Sequence, residues 1–121
     1  MDTVPTQLEI ELLRIASFVK EFAIPGSIPQ MEDLLTLSIG YKQRIGEVLN
    51  DAELVYAKKK EQCLASLGEL EDETETLRKA KLEAWTATEK HQIGTVKNLS
   101  SNLKTIQMTL MQAIKTRRDE R

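Results

Sequence analysis

The chain has 121 residues, 40% of them hydrophobic and 30% charged, with a formal net charge of -2 and one cysteine. That length holds a single domain, the composition suits a helical protein better than a compact mixed fold, and the charge argues against a generic nucleic-acid binder while leaving room for a local basic face. Cys63 has no partner for an internal disulfide, which fits a reducing compartment, and no apolar run approaches the roughly 20 residues of a membrane span.

The N-terminal Met-Asp-Thr-Val-Pro-Thr lacks a basic region followed by an apolar stretch, so no signal peptide is expected and the expected location is cytoplasmic. A first helix is predicted over about 7–23. Thr6-Gln7-Leu8-Glu9 forms a capping box, in which the Thr hydroxyl and the Glu carboxylate satisfy backbone donors at the helix start. Leu8, Leu12, Ile15, Val19 and Phe22 form its core-facing stripe. Ile24-Pro25-Gly26-Ser27-Ile28-Pro29 then stops it: Pro25 disfavours helical geometry at Ile24, and Gly26 can adopt a positive φ. Ser27 and Gln30 offer a second capping box, and so short a linker returns the next helix antiparallel.

From Met31 to Arg121 there is no proline. The second helix is predicted over about 29–67, with a stripe of Met31, Leu34, Leu35, Tyr41, Ile45, Val48, Leu49, Ala52, Tyr56, Cys63 and Leu67. Gly40 and Gly46 inside it mark a bend or a close helix approach. Gly68 is placed as a C-cap, and Asp72-Glu73-Thr74-Glu75 as the acidic capping box of a third helix over about 73–117. Apolar positions Leu77, Ala84, Trp85, Val96, Leu99, Leu103, Ile106, Leu110 and Ile114 give that helix its core face. Folding the two long helices about the break sets Cys63 near Leu77, Tyr56 near Trp85, Ile45 near Val96, Tyr41 near Leu99 and Leu34 near Ile106. The first helix is only about 26 Å long, so it covers the open end alone, with Phe22 near Met31 and Leu110, and Leu8 near Ile45 and Val96. The expectation is an all-α fold, one domain over 1–121: a long antiparallel, coiled-coil-like helical hairpin, completed by the short first helix into a three-helix bundle at its open end.

Chemistry has little to stand on. The one histidine, His91, and the one cysteine, Cys63, make neither a metal-binding nor a thiolate cluster. No phosphate-cradling Gly loop occurs, and carboxylates such as Glu9 and Glu11 read as helix-surface residues. The expected protein is not an enzyme and has no catalytic residue, metal, cofactor or small-molecule substrate.

Three features suit binding instead. Glu69, Glu71, Asp72, Glu73 and Glu75 crowd an acidic tip without a base, a docking point for a basic protein surface or a solubility and helix-cap device. Leu54, Val55, Leu64 and Leu82 fall off the main stripes, as scattered surface residues, a partner groove or a self-association face. Lys90, Lys97 and Lys104 recur every seven residues and, with Lys115, Arg117 and Arg118, give a stretch free of acids. It suits a phosphate backbone, unless Glu9, Glu11 and Glu21 neutralise it from the first helix. No aromatics interleave with the lysines, which removes base stacking.

Over about residues 45–118 the chain also resembles a type of small helical open reading frame carried by bacteriophages, often beside early recombination, replication or anti-defence genes. The resemblance rests on Asp51-Ala-Glu-Leu-Val-Tyr56-Ala, on Thr76-Leu-Arg78-Lys-Ala80-Lys after the acidic turn, and on Val96-Lys-Asn-Leu99-Ser-Ser-Asn-Leu103-Lys-Thr-Ile106. It implies a small accessory protein that acts by binding, in the host cytoplasm if phage-encoded, and it carries no catalytic residues to transfer. The leading expectation is an accessory or inhibitor protein that binds a protein partner. Its rivals are a nucleic-acid-associated recombination or replication accessory and a structural homo-oligomer, dimeric or higher.

Overall fold

The structure, a computed structural model, describes residues 6–68 and 74–120. Three helices account for nearly all of them: α1 (Gln7–Glu21), α2 (Ile28–Gly68) and α3 (Glu75–Asp119). Among the described residues there is no strand. The fold is therefore all-α, and α2 and α3 are 41 and 45 residues long. The chain divides into two compact units, Met1–Ile45 with Asn98–Arg121 and, separately, Gly46–Lys97.

The helix starts follow local chemistry. Thr6 is extended and its hydroxyl accepts the Glu9 N–H at 3.1 Å, as the capping box predicts. Ser27 accepts from the Gln30 N–H at 3.4 Å at the start of α2. At the third start Thr74 caps α3, its hydroxyl accepting from the Leu77 N–H at 3.3 Å. Asp72 and Glu73 of the expected box lie outside the described residues. A threonine hydroxyl one residue before Glu75 satisfies a first-turn donor and leaves Glu75 in the first turn, where its charge complements the helix dipole.

α1 ends earlier than predicted. Phe22 already leaves the helix at φ -59° and ψ 130°, and it packs against the cluster around Met31 and Leu110. Burial of an aromatic ring outweighs one more helical residue. Gly26 does not use its freedom, since no described glycine has a positive φ.

In the first unit, Met31, Ile106, Leu110 and Ile114 form a buried cluster, with Phe18, Val19, Phe22, Leu34 and Leu35 packed against it. Leu34, Ile106, Phe22, Met31 and Leu110 all belong to this cluster. Ile15 is the buried residue of α1, whereas Leu8, expected on the same stripe, is exposed. The Phe18 ring meets Tyr41 edge-on at 5.2 Å and 70°, a contact worth about 0.5–1.5 kcal/mol beyond its burial. Glu11 accepts from Arg44 Nε at 2.6 Å, tying α1 to α2. Ser38, absent from the expected stripe, is fully buried; its hydroxyl donates to the Leu35 carbonyl at 2.7 Å, so burial leaves no unmet donor.

The second unit is built from α2 and α3 alone. The α2 stripe is as predicted, with Val48, Cys63 and Leu67 buried and Leu49, Ala52 and Tyr56 partly so. The α3 face is not. Thr86 and Val96 are buried, Arg78, Leu82, Glu89 and Ile93 are half-buried, and Leu77, Ala84 and Trp85 are exposed. The packed face is rotated by one residue from the apolar stripe that the sequence predicts. Two polar contacts make that face acceptable. Thr86 Oγ1 donates to the Leu82 carbonyl at 2.8 Å, and Lys59 Nζ donates to Glu89 Oε1 at 2.7 Å.

The register shifts with the face. Cys63 lines a recess with Trp85, not with Leu77, so α3 is displaced by about two turns from the expected pairing, 3.6 residues making one turn. Gly40 and Gly46 do not mark a close approach, because a Cβ at either would meet nothing within 4 Å.

Candidate interaction surface

The second unit buries a narrow core and leaves large apolar side chains outside it. Leu54 (57%), Val55 (58%), Leu64 (51%), Leu77 (47%) and Trp85 (42%) remain substantially exposed. A pair of helices can bury only one face of each, so residues to either side of the seam stay open. The exposure of Leu54, Val55 and Leu64 was expected. Leu77 and Trp85 were expected in the core. The signal that could have placed them outside is the i, i+3, i+4 run through Leu82, Thr86, Glu89, Ile93 and Val96, which outcompetes the run through Leu77, Ala84 and Trp85.

Recesses open on this unit, two of which gather residues of both helices. The larger, about 610 Å³, is lined by Leu64 and Leu67 of α2 and by Glu75, Thr76, Arg78, Lys79 and Leu82 of α3. It gathers Leu64, Leu82 and Glu75, three residues singled out from sequence. The smaller, about 280 Å³, is lined by Lys59, Gln62, Cys63, Ser66 and Trp85. Of the acidic group, Glu75 is exposed at the start of α3, while Glu69, Glu71, Asp72 and Glu73 lie outside the described residues.

One electrostatic contact stands inside the seam. The Lys59 hydrogen bond, with backbone hydrogen bonding and the Lys59 charge, holds the Glu89 carboxyl below its ordinary value of 4.5 against the opposing effect of burial. Its second oxygen, Oε2, is buried without a hydrogen-bond partner, so the ion pair satisfies only half of the carboxylate.

The basic residues of α3 are distributed over both units. Lys90 and Lys97 are exposed in the second, and Lys104, Lys115, Arg117 and Arg118 are exposed in the first. Arg118 pairs with Glu32 of α2 at 2.7 Å. Lys90, Lys97, Lys104, Lys115 and Arg117 make no ion pair among the described residues. The alternative of neutralisation from α1 finds no ion pair among the described residues: Glu11 pairs with Arg44, and Glu9 and Glu21 are exposed and pair with no described residue. The reason is proximity, since Arg44 on α2 reaches Glu11 directly.

No group of three or more His, Cys, Asp or Glu that could hold a metal ion occurs among the described residues. Cys63 is buried and His91 exposed. No described helix is long and apolar enough to cross a membrane. Comparison with protein-family models, with curated proteins and with solved structures gives no match to this chain.

Proposed function

We propose that this protein is a non-enzymatic interaction module, an accessory or inhibitor protein of the phage-encoded kind, which binds a protein partner through residues 46–97. The observation that supports this reading is the five large apolar side chains left 42–58% exposed around a thin core in that unit. Of these, Leu64 shares a recess with Leu67 and Leu82 beside Glu75, Arg78 and Lys79, and apolar side chains grouped beside polar ones are the usual composition of a binding patch. In this reading the first unit is a three-helix bundle that serves as a stable base. The recess between Leu64 and Leu82 accepts an apolar anchor of the partner, and the acidic group from Glu69 to Glu75 selects a basic rim around that anchor.

The test is affinity capture from the native host with the full chain and with Leu64→Asp. An exposed site tolerates that change, so helical content and melting temperature stay close to the parent. The variant loses the captured protein, with at least a tenfold drop expected for an apolar anchor contact of about 1.4 kcal/mol. Identical capture by both proteins rejects this surface.

A second reading has its own observation. Lys90, Lys97 and Lys104 are exposed and lack ion pairs among the described residues, the state in which lysines are free to contact phosphates. Changing all three to Glu abolishes retention on DNA if α3 is a nucleic-acid face. Retention that is absent in the parent, or unchanged in the variant, removes that reading.

A further inference from the structure

One stripe of α2 in the second unit is left over after the core, the recesses and the basic residues are accounted for. Asp51, Leu54, Val55 and Lys58 occupy positions i, i+3, i+4 and i+7, so they share one helix face. All four are exposed. Neither Asp51 nor Lys58 makes an ion pair with a described residue. Leu64 points to a different side of α2, because residues turn by one full circle every 3.6 positions.

The order acid, apolar, apolar, base has a consequence for pairing: it is complementary to itself read backwards. Laid antiparallel about a two-fold axis between Leu54 and Val55, the stripe brings Leu54 against Val55 of a second copy. The same operation brings Asp51 against Lys58 of that copy, and symmetry repeats each contact. A parallel arrangement would instead set Asp51 on Asp51 and Lys58 on Lys58. Gln62 continues the face one turn further, and Trp85 of α3 lies beside it in the same recess. An exposed aromatic ring is therefore available at the edge of the patch, and aromatic residues are enriched in such contacts.

The geometry points to a second copy of this chain as the occupant of the Asp51–Lys58 stripe, in an antiparallel, two-fold symmetric dimer. The inference rests on the reading that residues 46–97 act as a contact surface, and it goes further by naming the partner on one side of α2. The side with Leu64 and Leu82 stays open for a different protein. A hetero-partner would have to supply the reversed charge order, and this chain already carries it. With two apolar side chains per copy at its centre, the contact belongs to the small, weak class of interfaces.

The test uses purified full-length protein and sedimentation equilibrium from about 10 µM to 1 mM, the range suited to weak dimers. The parent is expected to shift from monomer to dimer across that range. Asp51→Lys sets a lysine against Lys58 at both symmetry-related contacts, and Lys58→Asp sets an aspartate against Asp51 at both. Each variant alone is expected to dimerise at least about tenfold more weakly, two surface ion pairs being replaced by repulsion. An equimolar mixture of the two variants restores opposite charges at every contact and returns the dimer. Recovery in the mixture also shows that both variants are folded. A parent that stays monomeric to 1 mM, single variants that dimerise like the parent, or a mixture that fails to recover would each overturn the dimer. Capture of a host protein by Asp51→Lys is read separately: it reports on the Leu64 surface and stands or falls apart from self-association.

Discussion

Lys59 and Glu89 meet across α2 and α3 at 2.7 Å inside the second unit, one of the two polar contacts that accompany a polar face of α3 packed where an apolar one was expected. The lysine is 40% exposed on its side chain and the glutamate 17%. The ammonium therefore reaches the seam from its wet edge, keeping its stem against apolar neighbours and its head near water.

The pair makes stability depend on pH. Because Glu89 is held below 4.5 in the folded protein, its contribution is fully present above the unfolded value. It is lost as pH falls through the lowered folded value. Glu89→Gln is expected to lower the thermal midpoint at pH 7, with the difference from the parent closing once the pH is well below 4.5. Melting curves followed by circular dichroism across the acid range check this, and a constant difference at every pH would show that the carboxylate charge plays no part.

Leu110 tests the first unit. It is fully buried, in the cluster with Met31, Ile106 and Ile114. Leu110→Ala removes buried methyl groups and leaves a cavity, at a cost of about 2–5 kcal/mol. Urea unfolding should show the loss, and Leu13→Ala, at an exposed position on α1, should change stability by no more than about 0.5 kcal/mol.

Gly40 and Gly46 offer the opposite effect. Both lie within α2, are exposed, and have open space where a Cβ would stand. Replacing either by Ala is expected to stabilise the chain by up to about 1 kcal/mol, since Ala loses less backbone entropy in a helix. A raised denaturation midpoint for each, nearly additive in the double variant, is the expected result.

Thr74 is the start signal of α3. Thr74→Ala removes the acceptor of the Leu77 N–H and is expected to cost about 1 kcal/mol, while Thr74→Ser preserves most of it. Thr6→Ala should behave alike at α1, where Thr6 accepts from Glu9. Equal stability of the Ala and Ser variants would show that the hydroxyl carries no cap.

Of the candidate surface, Leu54, Val55 and Leu64 were legible in the sequence because they break the α2 stripe, and a stripe that continues without them leaves them outside. Trp85 and Leu77 were not legible. Large apolar residues at helical spacing read as core until a competing face is known to be better satisfied. The acid-free run from Lys90 to Arg118 was legible as composition, but the fate of its charges was not, since Glu11 pairs with Arg44 of α2, which lies outside that run.

By itself the sequence determined what is local: three helices, the caps at Thr6 and Ser27, the breaker between α1 and α2, and the single apolar stripe of α2. These follow from backbone donors, proline geometry and a 3.6-residue period, all of which act within a few residues. The tertiary structure decided the rotation and register of α3. Its two candidate faces differ by one residue in position, and the one through Thr86 and Glu89 is buried because its hydroxyl finds the Leu82 carbonyl and its carboxylate finds Lys59. That choice depends on a partner about thirty residues away in the chain, and no local pattern contains it.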